Sequence, residues 1–171
     1  MRSQQFVFTA GLLLLFMLAV GCAKMPLRGD YIKDTPPQIT ADADSAVIYF
    51  VREGAFGGGG ISYFIFEDTQ KIGLLKSGTY FMHRATPGKH TYLAKTESRA
   101  AVTLDVKAGE TYYIEGTVGM GFWAGRPELR EITKAVAEQY LPELEYVRLA
   151  TPEEQEAYKL KEASQNTGQS L

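Results

Sequence analysis

The sequence predicts a mainly β protein, an antiparallel β-sandwich of about seven short strands with one or two short C-terminal helices. Three observations carry this. From Ala46 onward, β-branched and aromatic runs recur at intervals of about eight to twelve residues. The separators between them carry turn chemistry: Glu67-Asp68-Thr69-Gln70, Ser77-Gly78, Thr86-Pro87-Gly88-Lys89 and Lys107-Ala108-Gly109-Glu110. Near the C-terminus the pattern changes to helical spacing, closed by Pro142 and reopened by Thr151-Pro152-Glu153-Glu154.

Before the domain come two other segments. Met1 to Gln5 carries Arg2, and Phe6 to Val20 is apolar apart from Thr9 and Gly11. A spanning helix needs about 20 apolar residues and this core is roughly 15 long, so residues 1–21 read as a cleaved signal peptide. The junction Leu18-Ala19-Val20-Gly21-Cys22 resembles the lipobox of bacterial lipoproteins, with Ala19 where leucine is usual. That resemblance implies that Cys22 becomes the mature N-terminus and carries fatty acyl chains such as palmitate. Each buried methylene then adds about 0.8 kcal/mol of membrane attachment. Ala23 follows, not aspartate, which implies the outer membrane, facing the periplasm. Residues 22–45 hold Pro26, Gly29, Asp30, Pro36, Pro37, Asp42 and Asp44 among scattered apolar residues, and read as a flexible, lipidated tether spanning about 25 Å.

The domain, residues 46–150, opens with Ala46 to Arg52 (AVIYFVR), a dense β-forming run. Ile61 to Phe66, Lys71 to Leu75, Thr79 to His83, Lys89 to Lys95, Ala101 to Val106 and Thr111 to Val118 follow. Val47 to Val51 and Tyr63 to Phe66 are apolar on both faces, so some strands require a cover on each side. Thr133 to Leu141 supplies one, a short helix with Ile132, Val136 and Tyr140 a turn apart. Thr151, Pro152 and Glu154 stand in capping-box order, starting a peripheral helix to about Glu162. Residues 151–171 thus read as a C-terminal helix and a disordered tail.

These strand and turn residues resemble a known family. Ala46 to Arg52, Lys71-Ile72-Gly73, Gly78-Thr79-Tyr80, Thr86-Pro87-Gly88-Lys89-His90 and Ala108-Gly109-Glu110-Thr111-Tyr112-Tyr113 are similar to the uncharacterised bacterial lipoprotein family described as domain of unknown function 2846. The resemblance spans roughly Ala46 to Leu129. It implies a small β-sandwich and a lipid anchor, and no reaction.

Composition removes several functions. Lys and Arg number 18 against 20 Asp and Glu, leaving no basic excess for nucleic acid. The single cysteine forbids an intramolecular disulfide and a thiolate metal cluster. Gly119 to Ala124 formally matches G-x-G-x-x-A, but Arg126-Pro127 follows where a dinucleotide site needs a helix. The tetraglycine Gly57 to Gly60 lacks the Gly-Lys-Ser/Thr ending of a P-loop. His83 and His90 lie in predicted strands with no neighbouring cysteine or paired carboxylate, and read as surface or turn-supporting residues. Adjacent Glu67 and Asp68 read as turn chemistry, and no G-x-S-x-G elbow is present. No catalytic residue, cofactor or metal ligand is therefore expected, and the oligomeric state is open.

The expected function is a lipid-anchored, noncatalytic envelope module that binds or scaffolds an envelope protein or a cell-wall or glycan component. An envelope hydrolase with a scattered site is the alternative. Strand parity names the working end. With successive strands alternating in direction, the loops at Glu53 to Gly60, Lys76 to Gly78, Thr96 to Ala100 and Gly119 to Pro127 collect away from the tether. Longer loops on a rigid scaffold are where binding residues concentrate. The candidate partner-binding residues are Phe122 and Trp123, with Arg126 as a polar neighbour; the alternative is that Trp123 folds back as a plug over the open end of the sandwich.

Overall fold

The computed structural model describes residues 28–54, 59–119 and 125–168. Among them, ten strands form two facing sheets. In chain order these are β1 (Tyr31–Lys33), β2 (Ala46–Arg52), β3 (Tyr63–Glu67), β4 (Gln70–Leu75), β5 (Thr79–Ala85), β6 (Gly88–Lys95), β7 (Arg99–Val106), β8 (Thr111–Gly119), β9 (Arg126–Ile132) and β10 (Glu145–Leu149). One sheet runs β1-β10-β5-β2-β8-β9 and the other β4-β3-β6-β7. All seven expected strands are present, and Ala46–Arg52 matches residue for residue.

The sandwich is not purely antiparallel. β2 pairs antiparallel with β5 but parallel with β8, and β10 joins β5 in parallel. Alternation itself explains the first exception: β2 and β8 are the first and seventh of the expected series, so they point the same way, and the fold makes them neighbours. The second arises because the chain leaves the edge strand β9, passes through helix α1 (Lys134–Tyr140) and rejoins the sheet at β10.

β2 shows how the layers form. Ala46, Ile48 and Phe50 enter the core between the sheets with Ile65, Tyr92 and Ile114. Fully burying a side chain such as Ile48 or Phe50 contributes about 1.5–3 kcal/mol. Phe50 stacks on Phe81 at 4.7 Å and meets Tyr92 edge-on at 5.0 Å. A side chain on Gly73 would run into the Phe81 ring, so only glycine lets β4 approach there. On the other face Val47 and Val51 are 1% and 0% exposed, so this strand is covered twice, as its composition demands. The rings of Tyr113, Tyr49, Tyr80 and Tyr146 form one contact chain across β8, β2, β5 and β10.

The two expected helices form. Thr133 caps α1, accepting from the Val136 N–H at 3.4 Å, and Ala137 is buried. Helix α2 (Pro152–Gly168) begins with a complete capping box: the Glu154 N–H donates to Thr151 Oγ1 at 3.3 Å, and the Thr151 N–H donates to Glu154 Oε2 at 2.8 Å. α2 continues past Ala163, where an unstructured tail was expected, because nothing between Glu162 and Thr167 breaks a helix.

The stretch expected to be a flexible tether is laid onto the domain from Arg28 onward. A short 3-10 turn (Arg28–Asp30) leads into β1, which pairs antiparallel with β10 and closes an edge that would otherwise be bare. Farther on, Asp42 bridges to Ser45 and accepts from Arg84 Nη1 at 2.6 Å. β1 runs parallel to β2, and Tyr31 faces Leu149, the last residue of β10. The chain therefore joins the sandwich at the end where β2 starts. That end is the near end, and the end where β2 finishes is the far end.

Candidate functional site

At the far end the large sheet forks. The ladder between β2 and β8 stops at Val51 and Glu115, while β8 runs on to Gly119, paired among the described strands with β9 alone. Between Arg52–Gly54 and Glu115–Val118 lies a cavity of about 130 Å³. Arg52 follows the inward phase of Ile48 and Phe50 and is 2% exposed. Its Nη1 donates to the Ile61 carbonyl at 2.7 Å, and the guanidinium lies 5.4 Å from the centre of the Tyr63 ring. Burial pushes the Arg52 pKa down, whereas burial pushes the Tyr63 phenol up. Tyr63 in turn donates to the Thr117 carbonyl at 3.2 Å. A Cβ on Gly116 would lie 2.5 Å from both Leu75 and the Tyr63 hydroxyl, so glycine is required at the fork.

Glu115 forms the opposite wall and is 5% exposed. A carboxylate that deep is tolerable only if paired. Arg130 Nε donates to it at 2.5 Å and the Tyr140 hydroxyl at 3.4 Å. Tyr140 is pushed up to about 12, by burial first and by the Glu115 charge second. Exposed Glu53 adds a negative charge at the mouth.

The described residues flanking the loops that parity assigns to the far end do meet in pairs there. The Gly78 N–H donates to the Arg52 carbonyl at 3.1 Å, and Thr96 Oγ1 donates to the Gly125 carbonyl at 2.7 Å. Gly125, at φ +68°, packs so closely on Ile61 and Val118 that an added Cβ would lie 2.6 Å from each. Arg126 opens β9, is exposed, and pairs with Glu97 at 3.8 Å. Cys22, Phe122 and Trp123 lie outside the described residues. Arg52 and Glu115 were not singled out from the sequence. Their signal was present: a charge ending the apolar run AVIYFVR, and another inside YYIEGTV.

The near end carries a different cluster, also missed. Glu67, at the end of β3, accepts from His83 Nε2 of β5 at 3.0 Å and bonds His90 Nδ1 of β6 with its other oxygen. His90 Nε2 donates to the Thr86 carbonyl at 2.8 Å, so both ring nitrogens of His90 face oxygen partners. Tyr92 stacks on the His90 ring, and its buried hydroxyl is pushed up in pKa by burial first and by the neighbouring Glu67 carboxylate second. The carboxylate thus ties the small sheet to the large one. Burial lowers the His83 pKa, against the opposing pull of Glu67. Among the described residues, no three His, Cys, Asp or Glu are grouped to hold a metal ion, and no helix is long and apolar enough to cross a membrane.

Two facing sheets, a central strand paired antiparallel on one side and parallel on the other, and a forked far end define a small mixed-sheet β-sandwich. Residues 42–125 match the family described as protein of unknown function DUF2846, and this domain of the chain belongs to that family. The matched span runs from the Asp42 bridge through β8 to the loop before β9, so it includes both the His83–Glu67–His90 cluster and the fork. No curated protein and no solved structure matches the chain.

Proposed function

We propose that the protein is a lipid-anchored, noncatalytic envelope module, tethered through acylated Cys22 to the outer membrane facing the periplasm, and that it binds an envelope partner with its far end. The observation that carries this reading is the separation of the two ends. The chain joins the sandwich beside Leu149, whereas Gly54, Gly125, the fork and Arg126 lie at the opposite end. A module held from one end and open at the other can present that surface to a partner in the aqueous space. Rigid strands carrying longer loops are the usual arrangement for such a surface.

The anchor is tested by feeding cells a clickable fatty acid and comparing the wild-type chain with Cys22→Ser. Label on the wild type alone is expected; equal label on both refutes lipidation at Cys22. Purified full-length protein is also assayed against peptidoglycan and ester substrates. Turnover that survives rigorous purification would overturn the noncatalytic part of the proposal in favour of a hydrolase.

A further inference from the structure

The fork exposes a short length of strand edge whose hydrogen-bonding phase can be read. The Val47 N–H donates to the Glu110 carbonyl at 3.1 Å, so the even-numbered residues of β8 turn their backbone groups toward β2 and the odd-numbered ones toward β9. Pro127 agrees with this phase: it stands opposite Val118, where β8 asks β9 for no bond and its missing N–H costs nothing. β2 ends its ladder at Val51. The Gly116 carbonyl and both backbone groups of Val118 therefore point into the fork. Among the described residues none of the three has a hydrogen-bond partner. Polar backbone groups lining a recess in this way are a template for an added strand.

We infer that the fork is a docking slot for an extended segment of a partner protein, which pairs its backbone with Gly116–Val118 and sets one basic side chain beside the exposed carboxylates of Glu53 and Glu128. This rests on the far-end binding role proposed above and names its partner chemistry. Addition of a strand to a free edge draws affinity from main-chain bonds and specificity from alternate side chains. The cavity of about 130 Å³ lies along that edge and is too small for a sugar chain. Its charge favours lysine or arginine. Glu53 and Glu128 are exposed at its rim, Glu128 beside Thr117 at 3.3 Å, whereas Glu115 is already paired with Arg130. Arg52, the cation in the lining, is buried and already engaged with the Ile61 carbonyl. A glycan fits this surface less well. Sugars stack on open ring faces, whereas among the described residues no aromatic side chain lines the cavity.

The test uses the full-length chain in detergent and a fluorescein-labelled pentapeptide, Thr-Val-Lys-Val-Thr, followed by anisotropy. Saturable binding is expected, roughly tenfold or more weaker when the central lysine is replaced by glutamate. Val118→Pro removes the N–H that faces the fork and no bond to β9, and is expected to weaken the lysine peptide by a similar factor. Its melting temperature is measured alongside. Glu53→Lys, on an exposed side chain, is expected to reverse the preference between the lysine and glutamate peptides without changing the fold, and keeps the test decisive if Val118→Pro melts early. No binding by the lysine peptide, equal affinity for both peptides, indifference to both substitutions, or displacement by chitotetraose overturns the slot. Photo-crosslinking in cells separates this failure from that of the broader reading. A far-end partner captured equally by wild type and Val118→Pro removes the slot alone, whereas no far-end partner for the wild type removes the binding role itself.

Discussion

The two ends of the sandwich solve opposite problems. At the near end, tight turns at Asp68, Gly88 and Gly109 close the strands, and Glu67 joins residues of both sheets through His83 and His90. Asp42, Ser45 and Arg84 fasten the incoming chain beside them. At the far end β2 and β8 part company, the connections are longer, and charges are buried around a cavity. Side-chain bonds gather where the chain joins the sandwich, and unpaired strand edge is left at the other end. A scaffold that is locked at one end can leave its other end open without losing its register.

The comparison can be broken most severely at Glu67. Glu67→Ala leaves His83 and His90 without their shared acceptor in a half-buried site, and should cost about 2–3 kcal/mol in urea denaturation. A change below about 0.5 kcal/mol, the range of ordinary surface substitutions, would show that the cluster is not a clamp.

Acid should reach the near end next. The folded-state pKa of His83 lies below its ordinary value of 6.5 because burial disfavours the cation. Its contribution is therefore complete above about 6.5 and is lost as pH falls below that value, since the unfolded chain takes up the proton more readily. The titratable groups facing it are Glu67, which opposes the shift, and His90, which assists it. Thermal melts between pH 7 and 5 should show a decline that His83→Gln reduces; identical slopes would refute it. Asp42 and Glu154 are each lowered to about 2 by their partners, so a second decline should appear as pH falls through 4 toward 2.

Smaller effects are expected at the far end. Thr96→Val deletes the bond to the Gly125 carbonyl and should cost about 1 kcal/mol, while raising hydrogen exchange in the far-end loops more than at Glu67. Glu53→Lys should shift stability by less than about 0.5 kcal/mol, since the side chain is exposed, and should act on partner binding instead.

The contrast also explains what the sequence could and could not disclose. Central strands such as Ala46–Arg52 announce themselves, because burial on both faces forces a continuous β-branched and aromatic run. β1, β9 and β10 went unread for the converse reason. Arg126–Ile132 is an edge strand rich in charge with a proline inside it, which is how edges are protected from further pairing and also how loops are written. Tyr31–Lys33 is three residues long amid prolines and aspartates, and Glu145–Leu149 is a brief alternation between two helical segments. The loops gathered at the far end followed from parity alone. The fork did not, because it depends on β8 lying beside β2, a pairing between distant segments that neither segment encodes. The Glu67 cluster was hidden likewise: its histidines lie 16 and 23 residues along the chain and meet only once the sheets face each other.

The central claim, that the protein works through the end opposite its attachment, is tested most directly by site-specific photo-crosslinking in living cells. A photoreactive residue is placed at exposed Gly54 or Arg126 at the far end, or at exposed Asp68 or Lys89 at the near end. The account predicts a discrete partner adduct from Gly54 and Arg126 that is absent from Asp68 and Lys89. Adducts of equal yield from all four positions, or from the near end alone, would contradict it.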